Sequence, residues 1–584
     1  MAQWMIYTKK ADFNKLGQDY GITPVTARIM INRGVLPEEF ESFLRCDISR
    51  LHSPWLFKDM ELSVNIITQK LKSKKKIRII GDYDIDGVCA TYILASGISE
   101  IGGVVDIDIP DRVKDGYGIN KKIIDKAADE GVDTIITCDN GISAIEEIDY
   151  AAAQGLTVIV TDHHEVPVDE EGNYIRVKGN AVINHKQPDC GYPYKNLCGA
   201  AVAYKLMEAL YEKAGIEYNR EKYLVPAAIA TIGDVVDLDG ENRIIAKNGL
   251  KLIKNTSIAG LKALTDVCGI DVNNISSYHI GFILGPCLNA GGRIETAKIA
   301  YRLLAEKSYE RAYELAEELK ELNDKRKIMT DKGVEAARLK ALEKADKNVL
   351  ILYIGDIHES IAGIVAGRIR EQFYKPVVIF TDSEEPGMVK GSGRSIKGYD
   401  MFKEMSKCRF LFAKFGGHEM AAGLSMKKEN IEIFDRLINE NENMTKDILT
   451  EKLWIDVKMP FSYITEAFVD ELSVLEPFGK GNEKPVFAQK PVELVGFNIM
   501  GKNRNVLKMT LKDIWKYPIQ ALYFGDIEAL EKKIKEKYGD EEFRNAKMGM
   551  DNEIRLCVAY YPQINTYKGK TTVQIVVKEV DLQA

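Results

Sequence analysis

The chain has 584 residues, of which 45% are hydrophobic and 29% are charged, and its formal net charge is −7. This length exceeds what one hydrophobic core normally contains, so we expect several domains of ordinary globular composition. The net charge by itself disfavours a nucleic-acid partner, but basic residues cluster locally in KSKKKIR (72–78) and GKNRNVLKMTLKDIWK (501–516).

The cysteine content and the hydropathy of the chain indicate the cellular compartment of the protein. The nine cysteines are odd in number and include no CxxC pair, which argues against a disulfide framework and against a zinc ribbon. No apolar run approaches the roughly 20 residues of a membrane span, and the start MAQWMIYTKK lacks the order of a signal peptide. We therefore expect a cytoplasmic protein with no membrane partner.

From residue 77 the chain alternates short β-branched runs with helix-like segments, after an N-terminal segment (1–60) that we expect to pack on the next domain. The predicted strands are IRIIG (77–81), VVDIDIP (104–110), DTIITC (133–138), LTVIVT (156–161) and AVIN (181–184). This alternation predicts βαβ units, and hence an α/β fold with a parallel sheet.

Acidic residues and histidines follow three of these strands, in GDYDIDG (81–87), TCDNGIS (137–143) and TDHHE (161–165). Adjacent histidines on a strand point to opposite faces, so one of the pair could be buried by chance. Ligands of open parallel sheets, however, bind outside the carboxyl ends of the strands. Three strand ends that deliver Asp or His to one edge favour a site over chance.

The segment DYDIDG also begins like an EF-hand calcium loop, whose twelfth position must be a bidentate Glu. Counted from Asp82, that position is Ile93, so the calcium loop is disfavoured. Carboxylates mixed with imidazole suit Mn²⁺, with Mg²⁺ as the alternative, and crowded carboxylates repel one another unless cations lie between them.

A further acidic candidate is Asp234 in GDVVDL (233–238), after the helix-like VPAAIATI. An Asp after Gly is more often part of a turn or a helix cap than a ligand. The residues around Asp234 do not decide between these roles.

Together, DYDIDG, CDNG, TDHHE and GDVVDL resemble, in this order, the four motifs of the DHH phosphoesterase superfamily. Downstream, GSGRS (391–395) and FGGHEMAAG (415–423) resemble the DHHA1 substrate-binding domain that accompanies it. The segment LEPFGKGNEKPVF (475–487) adds a third signature. The complete set is similar to the RecJ family of single-stranded-DNA-specific exonucleases.

This resemblance implies a metal-binding shell. Its implied ligands are Asp82, Asp84, Asp86, Asp139, His163, His164 and Asp234, and all but Asp86 are also implied in catalysis. Asp162 and Asn140 are implied neighbours, Asp162 orienting an imidazole. The resemblance leaves open which of Asp82 and Asp86 binds directly, and whether His164 binds metal or lies near the scissile phosphate.

The resemblance also implies a reaction. Two ions about 4 Å apart would activate a water and stabilise the departing 3′ oxygen, so no Ser or Cys nucleophile is needed. The implied activity is 5′→3′ hydrolysis of single-stranded DNA to 5′-mononucleotides in DNA repair and recombination. A single-strand-binding protein and a helicase are implied partners.

A first pair of substrate contacts is expected in the loop PDRVKDGYGIN (110–120). Arg112 could hold a phosphate bidentately and Tyr117 could stack on a base. The alternative is a Gly-rich turn with a packed tyrosine, and similarity to the family favours the functional role.

A second contact is expected in LGPCLNAGGRIE (284–295), where small residues before Arg293 let the backbone approach a ligand. Relatives often carry Arg at the position of Cys287, so we assign the phosphate contact to Arg293. Ser392 and Arg394 in GSGRS, and His418 in GGHE, combine exposed backbone N–H groups with polar or cationic side chains. A surface turn would look similar, but the resemblance favours contact with the 5′ phosphate or the next one.

Residues 307–347 lack Pro, contain a single Gly and space their apolar residues as in a helix. We predict one long connecting helix, with a possible break near Gly333 and no chemical role. The domains on either side would face each other across a cleft, and a narrow cleft would admit one strand and reject a duplex.

Residues 452–584 contain several short alternating segments and little helix except near 526–539, which predicts an OB-like barrel with interleaved basic and aromatic residues. The expected domains are the N-terminal segment (1–60), the DHH catalytic domain (61–305), the connecting helix (306–347), the DHHA1-like domain (348–451) and the OB-like domain (452–584).

Two alternative functions remain at this stage. Shorter relatives with the first two domains hydrolyse short RNA or small phosphorylated nucleotides, but the OB-like region favours a long polymer. A single-strand-binding scaffold with a decayed metal site is disfavoured because every candidate ligand is present.

Overall fold

The computed structural model describes residues 2–112, 114–169, 171–440, 444–501, 503–567 and 569–582. The chain forms two compact units, one of Met1–Arg45 with Thr450–Ala584 and one of Cys46–Leu449. The N-terminal segment that we expected over 1–60 is thus divided, because its first 45 residues belong to the unit that contains the C-terminal region.

The N-terminal elements are β1 (Gln3–Ile6), α1 (Phe13–Tyr20), α2 (Pro24–Asn32) and α3 (Phe40–Arg45). Asp12 caps α1 by accepting from the Lys15 N–H, and Thr23 caps α2 ahead of Pro24. β1 pairs in parallel with a strand near residue 452, which is why this segment belongs to the C-terminal region.

The first half of the Cys46–Leu449 unit is a parallel sheet between helices. Its strands are β2 (Lys76–Ile80), β3 (Val104–Asp108), β4 (Thr134–Cys138), β5 (Thr157–Thr161) and β6 (Ala181–Ile183), in the order β3-β2-β4-β5-β6. Its helices are α4 (Met60–Lys72), α5 (Ile85–Glu100), α6 (Lys121–Asp129), α7 (Ile145–Ala153), α8 (Gly199–Ala214), α9 (Arg220–Gly233), α10 (Gly240–Ile253), α11 (Ala259–Val267), α12 (Ser277–His279), α13 (Gly285–Ile294) and α14 (Lys298–Ala305).

Alternate residues of the central strands enter two different cores. Ile79 and Ile136 pack in one core with residues of α5 and α8, whereas Ile80 and Ile135 pack in the other with residues of α6 and α7. Because helices cover both faces of the sheet, its strands are continuous apolar runs in the sequence. All five predicted strands are confirmed, with bounds that differ from the predicted ones by at most two residues.

The basic cluster at 72–78 lies at the start of β2 and is paired with acids. Arg78 donates to Asp106 through Nε at 2.7 Å and also pairs with Glu130, while Lys75 pairs with Asp133 at 3.6 Å. These cations therefore neutralise neighbouring carboxylates in the fold.

The connecting helix α15 (Tyr309–Glu343) is continuous, and the predicted break near Gly333 is wrong. Gly333 is buried, and a Cβ atom there would lie 3.0 Å from Val365 and 3.2 Å from Ile357. The glycine allows a close approach between helices and does not interrupt this one.

The second half of this unit is a mixed α/β domain, as predicted. Its elements are β7 (Leu350–Tyr353), α16 (Glu359–Phe373), β8 (Val377–Asp382), β9 (Met388–Arg394), α17 (Met401–Ser406), β10 (Phe412–His418), β11 (Ala421–Lys427) and α18 (Ile431–Asn439). The strand order is β10-β11-β9-β8-β7, with β7 and β8 parallel and the other pairs antiparallel.

The C-terminal region contains the predicted barrel. Its elements are β12 (Lys452–Ile455), β13 (Val457–Lys458), α19 (Glu466–Leu472), β14 (Phe487–Met500), β15 (Val506–Lys512), β16 (Pro518–Tyr523), α20 (Ile527–Met548), β17 (Arg555–Tyr567) and β18 (Lys570–Leu582). β14 pairs with both β15 and β17, which closes five strands around a core that contains Phe487 and Phe497. Helix α20 is longer than the helix expected near 526–539, because it continues past a kink at Gly539.

Among the described residues, the helices lack the combination of length and apolarity that crossing a membrane requires.

Candidate metal centre and substrate site

The loop after β2 places the first carboxylates at the carboxyl end of the sheet. Asp84 caps α5, and its Oδ1 accepts from the N–H groups of Asp86 at 2.9 Å and Gly87 at 3.2 Å. Asp82 is buried, and among the described residues its Oδ1 has no hydrogen-bond partner. A buried carboxylate oxygen without a donor indicates a place where a cation fits.

Asp86 is fully buried and holds the start of a second helix. Its two oxygens accept from the backbone N–H groups of Gly199 at 2.6 Å and Ala200 at 2.7 Å, in the first turn of α8. A Cβ at Gly199 would lie 2.8 Å from the Asp139 Cβ, so only glycine fits there. We did not predict this contact; the small residues of CGAAVAY at the helix start are the signal that could have indicated it.

Asp139 follows β4 and has a left-handed backbone, with φ of 60°. Its neighbour Asn140 fixes this turn, because the Asn140 Nδ2 donates to the carbonyls of Ile80 at 3.0 Å and Cys138 at 2.9 Å. The Asn140 Oδ1 accepts from the Ile119 N–H at 3.1 Å. Asn140 therefore joins two strand ends and the 110–120 loop.

The two histidines after β5 have different surroundings. His163 is buried, and its Nε2 lies 3.1 Å from Asp139 Oδ1, 3.6 Å from Asp86 Oδ2 and 3.9 Å from Asp234 Oδ2. His164 is half-exposed, with its Nδ1 at 2.8 Å from Asp162 Oδ1. His163 thus faces the carboxylates of Asp86, Asp139 and Asp234, whereas His164 is paired with Asp162.

Asp162 organises the turn that carries both imidazoles. Its Oδ2 accepts from the Ile142 N–H at 2.9 Å, and its Oδ1 accepts from the N–H groups of His163 at 2.7 Å and His164 at 3.1 Å. Asp162 therefore touches the histidines and their backbone, as a group that orients ligands does.

Asp234 is the C-cap of α9, and its carboxylate also reaches the cluster beside His163. The two roles that we weighed for this residue, helix end and part of the site, are both present in the geometry.

The pKa values of the carboxyl groups reflect their crowding. Burial and the charge of Asp84 raise the pKa of Asp82 well above its usual range and raise that of Asp86 to about 6. Burial and the charges of neighbouring aspartates likewise raise the pKa of Asp139. The fold concentrates more negative charge here than its own cations neutralise.

The pKa values of the two imidazoles are shifted in opposite directions. Burial and the charge of His164 lower the pKa of His163 to about 3, which leaves its ring neutral. Burial acts to lower the pKa of His164 as well, but the charge and hydrogen bond of Asp162 raise it to about 9. Burial acts to raise the pKa of Asp162, but the charge and hydrogen bond of His164, the charge of His163 and the hydrogen bond from the Ile142 N–H together outweigh burial and lower that pKa.

All seven predicted ligands lie together in this centre. They form three overlapping groups whose donor atoms lie within 4.8 Å of one another: Asp82 with Asp84 and Asp139, Asp86 with His163 and Asp234, and Asp139 with His163 and His164. Carboxylate oxygens with neutral imidazole suit divalent ions such as Mn²⁺ and Mg²⁺. The donor set and the unpartnered Asp82 oxygen therefore fit such ions.

The 110–120 loop lies against this centre. The Tyr117 hydroxyl donates to the Asp139 carbonyl at 2.7 Å, and its ring meets the His164 ring edge-on at 5.7 Å. The Arg112 guanidinium lies over the Tyr83 ring, 4.6 Å from its centroid. Arg112 and Tyr117 are thus both adjacent to the predicted ligands.

Arg293 connects the two halves of the Cys46–Leu449 unit. It is carried by α13, and its Nη1 donates to the Ser360 carbonyl at 2.9 Å. Burial and the positive charges of Arg112 and Arg326 lower the pKa of Arg293 to about 10. Burial and the charges of Arg370 and Arg112 lower the pKa of Arg394.

These five arginines form a cationic cluster drawn from both halves and from the connecting helix: Arg112, Arg293, Arg326, Arg370 and Arg394. We did not predict Arg326 or Arg370, and we gave the connecting helix no chemical role. In the sequence both are ordinary charges on helices, and only the packing brings them together. Such a cluster is a favourable environment for phosphate.

Arg394, Ser392 and His418 lie on one face of the second sheet. Ser392 and Arg394 are two residues apart on β9, so their side chains share a face. His418 and Arg394 are both paired with Ala421 of β11, which places them in one row across three strands. His418 is exposed, and its Nδ1 accepts from the Met420 N–H at 3.2 Å.

Comparison with known proteins places this chain in a family. Residues 76–232 match the DHH family N-terminal domain, 346–443 the DHHA1 domain and 455–579 the RecJ OB domain. The single-stranded-DNA-specific exonuclease RecJ of Haemophilus influenzae is 31% identical over 89% of this chain and 90% of its own length. The RecJ of Bacillus subtilis is 35% identical over 88% of this chain, which spans 64% of that longer protein.

Solved structures agree with this assignment. A Thermus thermophilus RecJ in complex with Mn²⁺ matches the fold over 100% of this chain and 80% of its own, with a TM-score of 0.82 at 24% identity. An exonuclease RecJ bound to manganese matches 68% of this chain and 96% of its own, with a TM-score of 0.58 at 29% identity. The chain therefore belongs to the RecJ family.

Proposed function

We propose that this protein is a metal-dependent exonuclease that hydrolyses single-stranded DNA from the 5′ end and releases 5′-mononucleotides in DNA repair and recombination. The observation that carries this proposal is the position of Arg112: its guanidinium lies over the ring of Tyr83, between Asp82 and Asp84, and it belongs to the loop that contacts Asp139. A phosphate held by the arginines would therefore lie near the carboxylate–histidine centre. Family membership supports the substrate, because the relatives are named as exonucleases specific for single-stranded DNA.

We assign the ion-binding role to the seven predicted ligands, Asp82, Asp84, Asp86, Asp139, His163, His164 and Asp234, and propose two ions, Mn²⁺ or alternatively Mg²⁺. The sharing of Asp139 and His163 between the overlapping groups supports a paired site. Bound ions would supply a water of lowered pKa and positive charge beside the phosphoryl and leaving oxygens.

The chain's own residues hold this centre in shape. Asp84 and Asp86 tie it to the starts of α5 and α8 through backbone N–H groups, and Asn140 fixes the turn at Asp139. Asp162 holds the His164 Nδ1, and the His164 Nε2, which lies 3.4 Å from the Tyr117 hydroxyl, would face an ion or the scissile phosphate. Both roles of His164 belong to the proposal.

Substrate capture is assigned to the cationic cluster and its neighbours. Arg112, Arg293 and Arg394 would hold backbone phosphates, with Ser392 and His418 on the face that carries Arg394. Tyr117 is half-exposed beside His164 and would stack on the terminal base. A narrow opening between the two halves of the unit would admit one strand and exclude a duplex.

We propose that the connecting helix (306–347), the DHHA1-like domain (348–451) and the OB-like domain (452–584) serve the same substrate. The barrel has exposed aromatics at Trp515 and Tyr517, beside Lys516, as single-strand-binding barrels do. The nine cysteines are free thiols, which supports a reducing cytoplasm. A single-strand-binding protein and a helicase are proposed partners on family resemblance alone.

The test is hydrolysis of three end-labelled substrates by the purified full-length protein with Mn²⁺: single-stranded DNA, single-stranded RNA and dinucleotides. We expect stepwise release of 5′-mononucleotides from the 5′ end of the DNA. Activity confined to dinucleotides would instead indicate a small-nucleotide phosphodiesterase, and DNA binding without any hydrolysis would indicate a scaffold. Duplex DNA with blunt ends should be spared.

A further inference from the structure

Two cysteine sulfurs meet outside the metal centre. The Sγ of Cys268 at the end of α11 lies 3.8 Å from the Sγ of Cys287 in α13. All nine cysteines are described, and Cys268 alone among them is not buried. A partly exposed thiol in contact with a buried one is the arrangement of an attacking and a resolving cysteine.

We propose that Cys268 and Cys287 are a peroxide-sensitive dithiol, whose reversible oxidation to a disulfide weakens the capture of single-stranded DNA. The effect on capture rests on the proposed function, whereas the oxidation itself does not.

The surroundings of the pair favour Cys268 as the attacking thiol. The hydrogen bond with Cys287 and the charges of Lys320 and Lys327 lower the pKa of the Cys268 thiol, although burial and the charge of Asp324 oppose them. The hydrogen bond to Cys268 and burial raise the pKa of the Cys287 thiol. Cys268 is therefore the sulfur that more readily becomes a thiolate.

The oxidation is balanced with hydrogen peroxide as the oxidant. The Cys268 thiolate attacks one peroxide oxygen, the O–O bond breaks, and the sulfur becomes a sulfenic acid as hydroxide leaves. The Cys287 thiol then attacks that sulfur, the S–S bond forms and the S–O bond breaks. The oxygen departs as water with the thiol proton, so two thiols and one peroxide give one disulfide and two waters.

The geometry requires a small movement. A disulfide holds its sulfurs at about 2.05 Å, so closure shortens the observed 3.8 Å separation by about 1.8 Å. Neither cysteine belongs to the candidate metal centre, so the reaction needs no ligand of that centre.

The same sulfur is connected to the cationic cluster. The Asn323 Nδ2 donates to the Cys287 Sγ at 3.3 Å, and the Asn323 Oδ1 accepts from Arg326 Nε at 3.1 Å and Nη2 at 2.9 Å. The charge of Arg326 acts on Arg293, which lies on the same helix as Cys287. Moving the Cys287 sulfur toward Cys268 would release Asn323 and so change how Arg326 and Arg293 are held.

The experiment compares the wild-type full-length protein with Cys268→Ser, and with Cys408→Ser as a control at a buried thiol in the turn after α17. Each protein is treated with hydrogen peroxide, alkylated and mapped without reductant. Binding of a 5′-phosphorylated single strand is then measured in EDTA, before and after dithiothreitol.

We expect a peptide that links residues 268 and 287 in the wild type and in Cys408→Ser. In both, the dissociation constant should rise at least about threefold and return with dithiothreitol, as the loss of one modest contact predicts. Cys268→Ser should give neither result.

Full alkylation of both thiols after peroxide would overturn the dithiol. A linked peptide with unchanged binding would overturn its effect on capture. If the reduced protein bound DNA but hydrolysed none, the proposed exonuclease function would fail, while the peptide map would still decide whether the disulfide forms.

Discussion

The Tyr117 hydroxyl donates a 2.7 Å hydrogen bond to the Asp139 carbonyl oxygen. This bond ties the 110–120 loop to Asp139, one of the two residues that belong to two of the three ligand groups. A loop proposed to receive the substrate is therefore positioned by the backbone of the proposed metal centre.

Replacement of Tyr117 by Phe should lower kcat/KM on single-stranded DNA about 5- to 10-fold, since a lost neutral hydrogen bond is worth about 1 kcal/mol. The ring remains, so stacking is retained. Tyr150→Phe is the matched control, because the Tyr150 hydroxyl donates to Asp125 on the surface at 2.6 Å. Equal kinetics for both variants would contradict a positioning role for Tyr117.

Asp139→Asn should reduce hydrolysis by about 1,000-fold or more, the order expected when a preorganised charge is removed from a reacting centre. Asn is preferable to Ala because it tolerates the positive φ of this position. Binding of DNA in EDTA should stay near the wild-type value, since the proposed phosphate contacts lie elsewhere. Asp133→Asn, which changes an ion pair with Lys70, is the control. Normal turnover by Asp139→Asn would refute the metal assignment.

Two glycines one turn apart on α16 test Arg394. A Cβ at Gly363 would lie 2.7 Å from the Arg394 Nη2. At Gly367, no described atom beyond the neighbouring residues and nearby backbone of the same helix lies within 4 Å of such a Cβ. Gly363→Ala should therefore displace the guanidinium and raise the dissociation constant for 5′-phosphorylated DNA about 3- to 10-fold. Gly367→Ala should bind like the wild type. If Gly363→Ala and Arg394→Ala both bound normally, Arg394 would have no phosphate role.

Stability should depend on pH through the metal centre. Burial and Asp84 raise the pKa of Asp86 from 3.8 to about 6, so the metal-free fold holds a proton that the unfolded chain has lost. The metal-free protein should lose stability as pH rises from about 4 to about 6, by on the order of 3 kcal/mol.

Mn²⁺ requires the ionised carboxylates, so its stabilising effect should be small near pH 4 and should grow through this window. Thermal unfolding with saturating MnCl₂ and with EDTA measures the difference in Tm. Asp139→Asn should show a much smaller Mn²⁺ effect. A Tm increase that is the same at both ends of the window would contradict ionisation-linked binding.

Much of the first half of the Cys46–Leu449 unit, which contains the candidate metal centre, follows from local patterns. The β-branched runs predict the five parallel strands, and the strand-end rule brings Asp82, Asp139 and His163 together before any packing is known. Asp234, which local sequence left undecided, required the family resemblance.

Contacts between distant parts of the chain were the ones that local patterns missed. Asp86 meets Gly199 across 113 residues, and β1 near the start of the chain pairs with β12, which begins at Lys452. Gly333 reads as a helix breaker by propensity, but tertiary packing against Val365 outweighs that preference. Arg326 joins the cationic cluster because of how one long helix packs, which its charge pattern does not encode.

The double use of Asp86 limits how this centre can change. Both of its oxygens accept from the first turn of α8, so the carboxyl group holds this turn even in a protein that binds no ion. A lineage that changed its bound ion, or bound none, would still benefit from an acid at this position. An aspartate retained at this position in a distant relative would then indicate that the start of α8 is held in the same way, and would not indicate that the relative is still active.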